Sequence, residues 1–129
     1  MKNLTVEEFL ESKRQTLALE LLTEGCELQR LIEVPNISSP GLALAGYVGR
    51  FPRGRLQVVG ETEMSYLRSL GPEQLRRVLG EFFSLDMPAV IVTKGQEVPA
   101  IMLELAAARG VPLLRTQLKT GEFYRRVQP

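Results

Sequence analysis

The pattern of apolar and polar residues predicts that the chain opens with a helix. In "TVEEFLES", Val6 and Phe9 fall on one helical face, and Thr5 and Glu8 have the spacing of a capping box. The apolar run at 17–22 fits either an extension of this helix or a buried strand, since periodicity does not separate the two in so short a run.

The middle of the chain predicts two strands around an irregular segment. "RLIEV" (30–34) and "RLQVV" (55–59) have the composition of strands, and they end before Pro35 and at Gly60. The segment 35–54 between them holds three prolines and four glycines. We expect it to be held on the core by three apolar side chains: Leu42, Leu44 and Tyr47.

Two helices are predicted after the second strand. The first is expected to be capped by Thr62 and to turn Met64 and Leu67 inward. The second begins at Gly71-Pro72, because a proline in the first helical turn loses no hydrogen bond. Its apolar stripe is wide and consists of Leu75, Val78, Leu79, Phe82 and Phe83.

The last third of the chain gives the clearest pattern. "PAVIV" (88–92) and "VPLLRT" (111–116) are apolar runs typical of strands covered on both faces. The helix between them ends at Gly110, and Thr120 is expected to cap a last helix with Phe123 inward. A strand, a helix and a strand in this order favour a right-handed crossover and a parallel pair. We therefore predict one α/β domain, with a small, largely parallel sheet and helices packed on it.

Composition limits the class of protein. The chain has 129 residues, of which 44% are apolar and 24% charged, as in an ordinary folded domain. A net charge of +1 argues against a protein built mainly to hold nucleic acid. Cys26 is the only cysteine, and no apolar run approaches the roughly 20 residues that span a bilayer. We expect a cytoplasmic protein without a membrane segment.

Histidine is absent from the chain, and this excludes several kinds of active site. Ser-His and Cys-His nucleophile systems and HExxH zinc sites all need it. Glu61, Glu63 and Asp86 are available for acid–base chemistry, but no spacing pairs them. We expect no catalytic residue and no metal site in this chain.

The stretch "SSPGLALAGY" (38–47) is the first candidate for a binding loop. A phosphate-binding P-loop requires Gly-Lys-Ser/Thr at its end, whereas Tyr47 follows Gly46 here. Glycines that permit tight turns are the better interpretation.

A second candidate, "YVGRFPRGR" (47–55), interleaves arginines with aromatics as in proteins that bind single-stranded nucleic acid. Its arginines are Arg50, Arg53 and Arg55, which make a small basic patch, so a solvated loop is favoured and nucleic-acid binding is a third, weaker hypothesis.

The carboxyl ends of the predicted strands form the better candidate for a ligand site. Ligands of open parallel sheets bind at this edge. Hydroxyls, two cations and backbone N–H groups near helix starts suit a phosphate or a carboxylate. Cap and turn residues are the alternative reading of the same positions. The candidate residues are Gly60, Thr62, Thr93, Lys94, Gly95, Arg115 and Thr116.

Three stretches of the chain together resemble one known family. They are 37–47, 51–67 and 88–123, and they are similar in order to the N-terminal domain of bacterial HPr kinase/phosphorylase. Pro40, Gly41, Gly46 and Tyr47 match the characteristic loop of that family. The other matching positions are Leu42, Ala45, Phe51, Pro52, Arg55, Gln57, Gly60, Glu63, Thr93, Gly95, Pro99, Gly110, Pro112, Leu114, Arg115 and Thr116.

The resemblance implies a parent enzyme that phosphorylates and dephosphorylates a serine of HPr, the phosphocarrier of the sugar phosphotransferase system. It implies ATP or pyrophosphate and Mg²⁺ as cofactors of that parent, a hexameric assembly and a role in carbon-source regulation. It also implies a fold like the first domain of some Mur ligases. The catalytic P-loop of the family belongs to a C-terminal domain, and Pro129 falls about where the family's linker begins.

Two main hypotheses follow from these observations. The first is a non-catalytic regulatory or assembly domain that works with a C-terminal kinase domain and forms homo-oligomers, with HPr as a further candidate partner. The chain has no Gly-Lys-Ser/Thr sequence, so no catalytic residue carries over from the resemblance. The second is a ligand-sensing module that binds a small phosphorylated or carboxylated metabolite at the strand ends.

Overall fold

A five-stranded mixed sheet forms the centre of the molecule. The computed structural model describes residues 4–33, 37–49, 51 and 53–127. The strands of this sheet are β2 (Leu19–Leu21), β4 (Ile37–Ser38), β5 (Leu56–Val59), β6 (Val90–Val92) and β7 (Leu113–Thr116). Their order is β2-β7-β6-β5-β4, with β2 antiparallel to β7 and the other pairs parallel. A separate antiparallel pair joins β1 (Leu4–Thr5) to β3 (Leu31–Ile32).

Six helices accompany the strands in the described part of the chain. They are α1 (Val6–Lys13), α2 (Gly41–Leu44), α3 (Glu61–Arg68), α4 (Pro72–Phe83), α5 (Ala100–Ala108) and α6 (Thr120–Val127). The predicted capping box is confirmed, because the Thr5 hydroxyl accepts from the Glu8 N–H and the Glu8 carboxylate accepts from the Thr5 N–H. Pro72 stands in the first turn of α4, as the sequence indicates.

The core consists of two hydrophobic clusters, one on each face of the sheet. Successive strand residues point to opposite faces of a sheet, so Val59 belongs to the cluster packed with α3, α4 and α5, while Val58 belongs to the one with α1 and α6. The central strand β6 is buried over its whole length. This burial explains the continuous apolar run in the sequence and confirms the predicted small, largely parallel sheet with helices.

Two expectations about single elements need correction, and one open alternative is decided. The run 17–22 contains strand β2, so the strand alternative is the correct one, and the antiparallel pairing of β2 with β7 makes the sheet mixed. Helix α3 begins at Glu61, directly after Gly60, so Thr62 lies within the first turn and does not cap it. The predicted strand at 30–34 is shorter than expected, since β3 ends at Ile32, and its predicted end at Val34 and Pro35 lies outside the described residues.

The segment 35–54 is more ordered than its composition suggests. It contains strand β4 and the single-turn helix α2, which the sequence reading missed. Leu44 is buried as expected. Leu42 and Tyr47 were expected to pack on the core, but they are 69% and 58% exposed. The single turn of α2 directs Leu44 and part of Ala43 toward the core, while Leu42 faces outward and Tyr47 follows the end of the helix.

Candidate functional site

The carboxyl edge of the sheet brings together the residues that the sequence placed there. Gly60 follows β5, Lys94 follows β6, and Arg115 lies at the end of β7. The Lys94 ammonium lies 2.8 Å from a Glu61 carboxylate oxygen, and the Gly95 N–H donates to the Thr116 carbonyl at 2.8 Å. The segments that follow β5 and β6 and the end of β7 therefore meet at one edge, and the use of this edge as a ligand site stays a prediction.

The two strand-end hydroxyls of this edge are buried. Thr93 Oγ1 lies 2.6 Å from Thr120 Oγ1 and donates to the Val59 carbonyl at 3.5 Å. Thr116 Oγ1 donates to the Leu17 carbonyl at 2.6 Å and accepts from the Leu118 N–H at 3.1 Å. These hydrogen bonds join the end of β6 to β5 and α6, and the end of β7 to the segments that contain Leu17 and Leu118.

Both cations of the predicted site pair with carboxylates of the same chain. Lys94 pairs with Glu61, and Arg115 donates to a Glu20 carboxylate oxygen from Nε at 3.2 Å and from Nη2 at 3.1 Å. Arg115 also donates to the Gln96 carbonyl at 3.4 Å. An anion that binds at this edge therefore has to compete with two internal carboxylates.

The backbone N–H groups of the edge also have partners. The Lys94 N–H donates to the Leu118 carbonyl at 2.8 Å, and the Gly60 N–H donates to a Glu63 carboxylate oxygen at the same distance. Thr62 lies in a shallow cleft next to this edge, together with Glu61, Ser65, Arg68 and Gln96. This arrangement has the hydrogen bonding of a closed structural edge, and a ligand here stays a prediction.

That prediction has a direct test with inorganic phosphate as the probe. If the edge binds anions, phosphate will shift the amide NMR signals of Lys94 and Gly95 saturably. Lys94→Ala and Arg115→Ala would each weaken binding by roughly tenfold, as expected for the loss of a charge-assisted hydrogen bond. Glu73→Ala, on the exposed first turn of α4, serves as a control that leaves binding unchanged. Unchanged affinity in both cation variants would remove this edge as the site.

The loop that matches the family signature surrounds helix α2. Pro40 precedes the helix and is buried, and Gly41 is its first residue. Gly46 follows with φ of +102°, a conformation that a residue with a side chain rarely adopts. The Tyr47 N–H then donates to the Leu42 carbonyl at 2.8 Å. The glycines therefore make a tight turn, as the sequence analysis favoured.

A pocket opens beside this loop, and the sequence reading missed it. We call it the loop pocket; its volume is about 130 Å³. Gln57, a fully buried polar residue in the apolar strand β5, was the signal that could have indicated it. The Ser39 hydroxyl lies 3.0 Å from the Tyr124 hydroxyl, so helix α6 contacts the pocket wall. The lining residues are Ser39, Pro40, Leu42, Ala43, Tyr47, Phe51 and Gln57.

Of the three arginines proposed for nucleic-acid binding, Arg53 is exposed and Arg55 is half-buried. Arg50 and the neighbouring Pro52 lie outside the described residues. Nucleic-acid binding stays a prediction.

Within residues 4–33, 37–49, 51 and 53–127, no group of three or more histidine, cysteine or acidic side chains is placed to hold a metal ion. In α4 and α5, Arg76 and Glu104 form an ion pair of 2.6 Å, and the hydrogen bond from Arg76 lowers the pKa of the Glu104 carboxyl. No helix among these residues is long and apolar enough to cross a membrane.

The fold has a counterpart among solved structures. It is similar to the CBS and DRTGG domains of the regulatory region of a pyrophosphatase from Clostridium perfringens, which was solved with its activator diadenosine tetraphosphate. The TM-score is 0.64 at 15% sequence identity, and the match covers 92% of this chain and 45% of the other. At this identity the likeness shows a shared fold.

Sequence comparison identifies the family. Residues 4–129 match the family model described as HPr serine kinase N terminus. An HPr kinase/phosphorylase from Shouchella clausii is 34% identical over 127 residues, and one from Caldicellulosiruptor bescii is 41% identical over 109 residues. These matches cover 98% and 83% of this chain but only 40% and 35% of the relatives, so the chain spans well under half of their length. The chain belongs to the HPr serine kinase N-terminal family.

Proposed function

We propose that this chain is a non-catalytic regulatory or assembly domain of an HPr kinase/phosphorylase. The parent enzyme would phosphorylate and dephosphorylate a serine of HPr, in carbon catabolite regulation. The immediate partner of this domain would be a C-terminal kinase domain, within a homo-oligomer. We further propose that the domain contacts HPr directly.

One observation carries the proposal. Relatives named HPr kinase/phosphorylase match nearly all of this chain, yet the chain accounts for only 40% of the Shouchella clausii protein and 35% of the Caldicellulosiruptor bescii protein. A module that makes up a minority of an enzyme and matches a model of its N terminus is suited to a supporting role. The catalytic equipment would then belong to the remainder of such a protein.

The residues of this chain do not fit the cofactors of the parent enzyme. The sequence has no Gly-Lys-Ser/Thr, which P-loops use to hold phosphates and Mg²⁺. The acidic side chains near the strand ends are engaged otherwise, since Glu61 pairs with Lys94 and Glu63 accepts from the Gly60 N–H. ATP, pyrophosphate and Mg²⁺ are therefore assigned to the parent enzyme and not to this domain.

A chimeric enzyme tests the proposal. The residues of the Caldicellulosiruptor bescii enzyme that match this chain would be replaced by this chain, and phosphoserine formation on HPr measured with ATP and Mg²⁺. We expect the chimera to keep kinase activity, and we expect the 129-residue chain alone to form no phosphoserine. Activation or oligomer formation should differ between the chimera and the enzyme truncated to its kinase part.

Two results would contradict this function. Phosphoserine formation by the purified chain alone would show that the domain is itself catalytic. If the chimera, the truncated enzyme and the native enzyme had the same activity, response to effectors and oligomeric state, the domain would have neither a regulatory nor an assembly role.

A further inference from the structure

The size of the loop pocket limits what it can bind. Pockets that bury a whole small-molecule ligand usually have about 300–1,000 Å³, whereas this one has about 130 Å³. A cavity of about 150 Å³ holds a single benzene ring. The loop pocket therefore has room for one ring or one branched side chain. A pocket of this size cannot bury a complete nucleotide or sugar phosphate.

The surroundings of the pocket are apolar and exposed. Leu42 and Tyr47 line the opening with 69% and 58% of their surface exposed, and the neighbouring Val48 is 46% exposed. None of the lining residues is charged. Contiguous exposed apolar surface around a pocket is typical of protein interfaces, where a partner's side chain fills the pocket and its neighbours cover the rim.

Phe51 gives the pocket a rigid wall. Its ring packs edge-on against Phe82 of the core, with 6.3 Å between ring centroids and planes at 87°. The pocket floor is fixed as well, because the buried Gln57 side chain donates to the Arg55 carbonyl at 3.0 Å and accepts from the Ser38 hydroxyl at 3.3 Å. A preformed wall and floor lower the entropy lost when a partner side chain is ordered in the pocket.

Positive charge lies beside this apolar surface. Arg55 lies two residues before Gln57, whose side chain donates to the Arg55 backbone carbonyl, and the exposed Arg53 lies two residues after Phe51, so both arginines adjoin residues that line the pocket. The Glu33 side chain lies against Gly54, between the two arginines. Within the ranges 4–33, 37–49, 51 and 53–127, neither arginine forms an ion pair, although other arginines of the domain do. Two such cations at the edge of an uncharged pocket complement a partner that carries carboxylates next to an apolar side chain.

We propose that the loop pocket is a docking site for an acidic protein segment, which inserts one phenylalanine or leucine side chain into it. The apolar side chain fills the space between Leu42, Ala43 and Phe51, and carboxylates on either side of it pair with Arg53 and Arg55. The inference concerns a binding surface of this chain, and it holds whether or not the chain regulates a kinase.

Capped tripeptides serve as probes, titrated into the isotope-labelled 129-residue chain and followed by NMR. Acetyl-Glu-Phe-Glu-amide is expected to shift the amide signals of Ala43, Tyr47 and Phe51 saturably. Acetyl-Glu-Ala-Glu-amide should bind about tenfold more weakly because it lacks the ring that the pocket would bury. Acetyl-Lys-Phe-Lys-amide should also bind several-fold more weakly, and the difference should shrink as salt is added.

Matched variants locate the binding. Ala43→Met places a side chain in the pocket and should abolish the binding of acetyl-Glu-Phe-Glu-amide, whereas Ala45→Met, at the end of the same helix but outside the pocket lining, should retain it within about twofold. Tyr47→Ala shortens the exposed rim and should weaken binding without a need to repack the core. Replacing both Arg53 and Arg55 by glutamine should remove the preference for the acidic peptide.

Several outcomes would overturn the proposal. They include the absence of saturable shifts with acetyl-Glu-Phe-Glu-amide, equal binding of the acidic and basic peptides at low salt, and undiminished binding by Ala43→Met. Shifts of the Ala43 and Phe51 signals that depend on protein concentration without any peptide would assign this surface to a second copy of the chain instead.

Discussion

Phe82→Ala is expected to lower the free energy of unfolding by about 3–5 kcal/mol. Phe82 is 1% exposed, and its ring lies 5.2 Å from the ring of Phe83 and 6.3 Å from that of Phe51. Truncation removes this buried surface and leaves a cavity, because α4 is held on the sheet by its other apolar residues and cannot collapse into the space. Urea denaturation followed by circular dichroism measures the loss.

Leu42→Ala is the control for this prediction. Leu42 is as apolar as a core residue, but it is 69% exposed, so the same kind of truncation should change stability by less than about 0.5 kcal/mol. A loss of less than about 1 kcal/mol for Phe82→Ala would contradict the packing described for α4 and the aromatic cluster.

Phe82→Ala is also expected to affect the loop pocket. Phe51 forms a wall of the pocket, and the edge-to-face contact between the Phe51 and Phe82 rings fixes the position of Phe51. In Phe82→Ala, Phe51 loses this support, and its ring is then free to turn into the pocket or into the new cavity. The conformation of the loop is therefore expected to depend on a residue in the last turn of α4.

Local signals in the sequence predicted the longer helices and the central strands of this fold. The hydroxyl and carboxylate of a capping box act within three residues, so Thr5 and Glu8 alone predict the start of α1. The continuous apolar run around Ile91 predicts a central parallel strand, because covered faces leave no polar alternation. The pairing of β2 was not predictable in this way, since its partner β7 lies more than 90 residues further along the chain.

At the candidate ligand site, the sequence predicted which residues come together but not their ion-pair partners. Strand ends of a parallel sheet meet at one edge, so the proximity of Lys94 and Arg115 to the other residues was predictable. Their partners were not, because Glu20 comes from the antiparallel edge strand and Glu61 from the first turn of a neighbouring helix. Charges that suggest an anion site in the sequence are paired within the chain once it is folded.

The loop around α2 was misjudged for a related reason. Apolar residues in an irregular segment are usually expected to face the core, and Leu44 does so. Whether Leu42 also faces inward depends on the direction of a single helical turn, which no local pattern determines. The exposed side chains and the pocket beside them emerge only when α2, Phe51 and strand β5 are assembled.

Thr116→Val is expected to lower the free energy of unfolding by about 1–3 kcal/mol, although valine has nearly the same shape. Thr116 is 1% exposed, and its hydroxyl serves both the Leu17 carbonyl and the Leu118 N–H. Valine leaves both groups without this partner at a site that is closed to water. Denaturant unfolding measures the loss, and faster hydrogen exchange of the Leu118 amide would locate it.

Thr62→Val is the matched control, because it is the same substitution at an exposed threonine of the same predicted site. It should change stability by less than about 0.5 kcal/mol. If Thr116 served mainly to bind a ligand, its valine variant would keep full stability and lose only affinity for the anion. If Thr116→Val lowers stability and Thr62→Val does not, the buried Thr116 hydroxyl has a structural role. It then joins β7 to the segment before β2 and to the segment before α6. A ligand would then have only the exposed groups of that edge to contact.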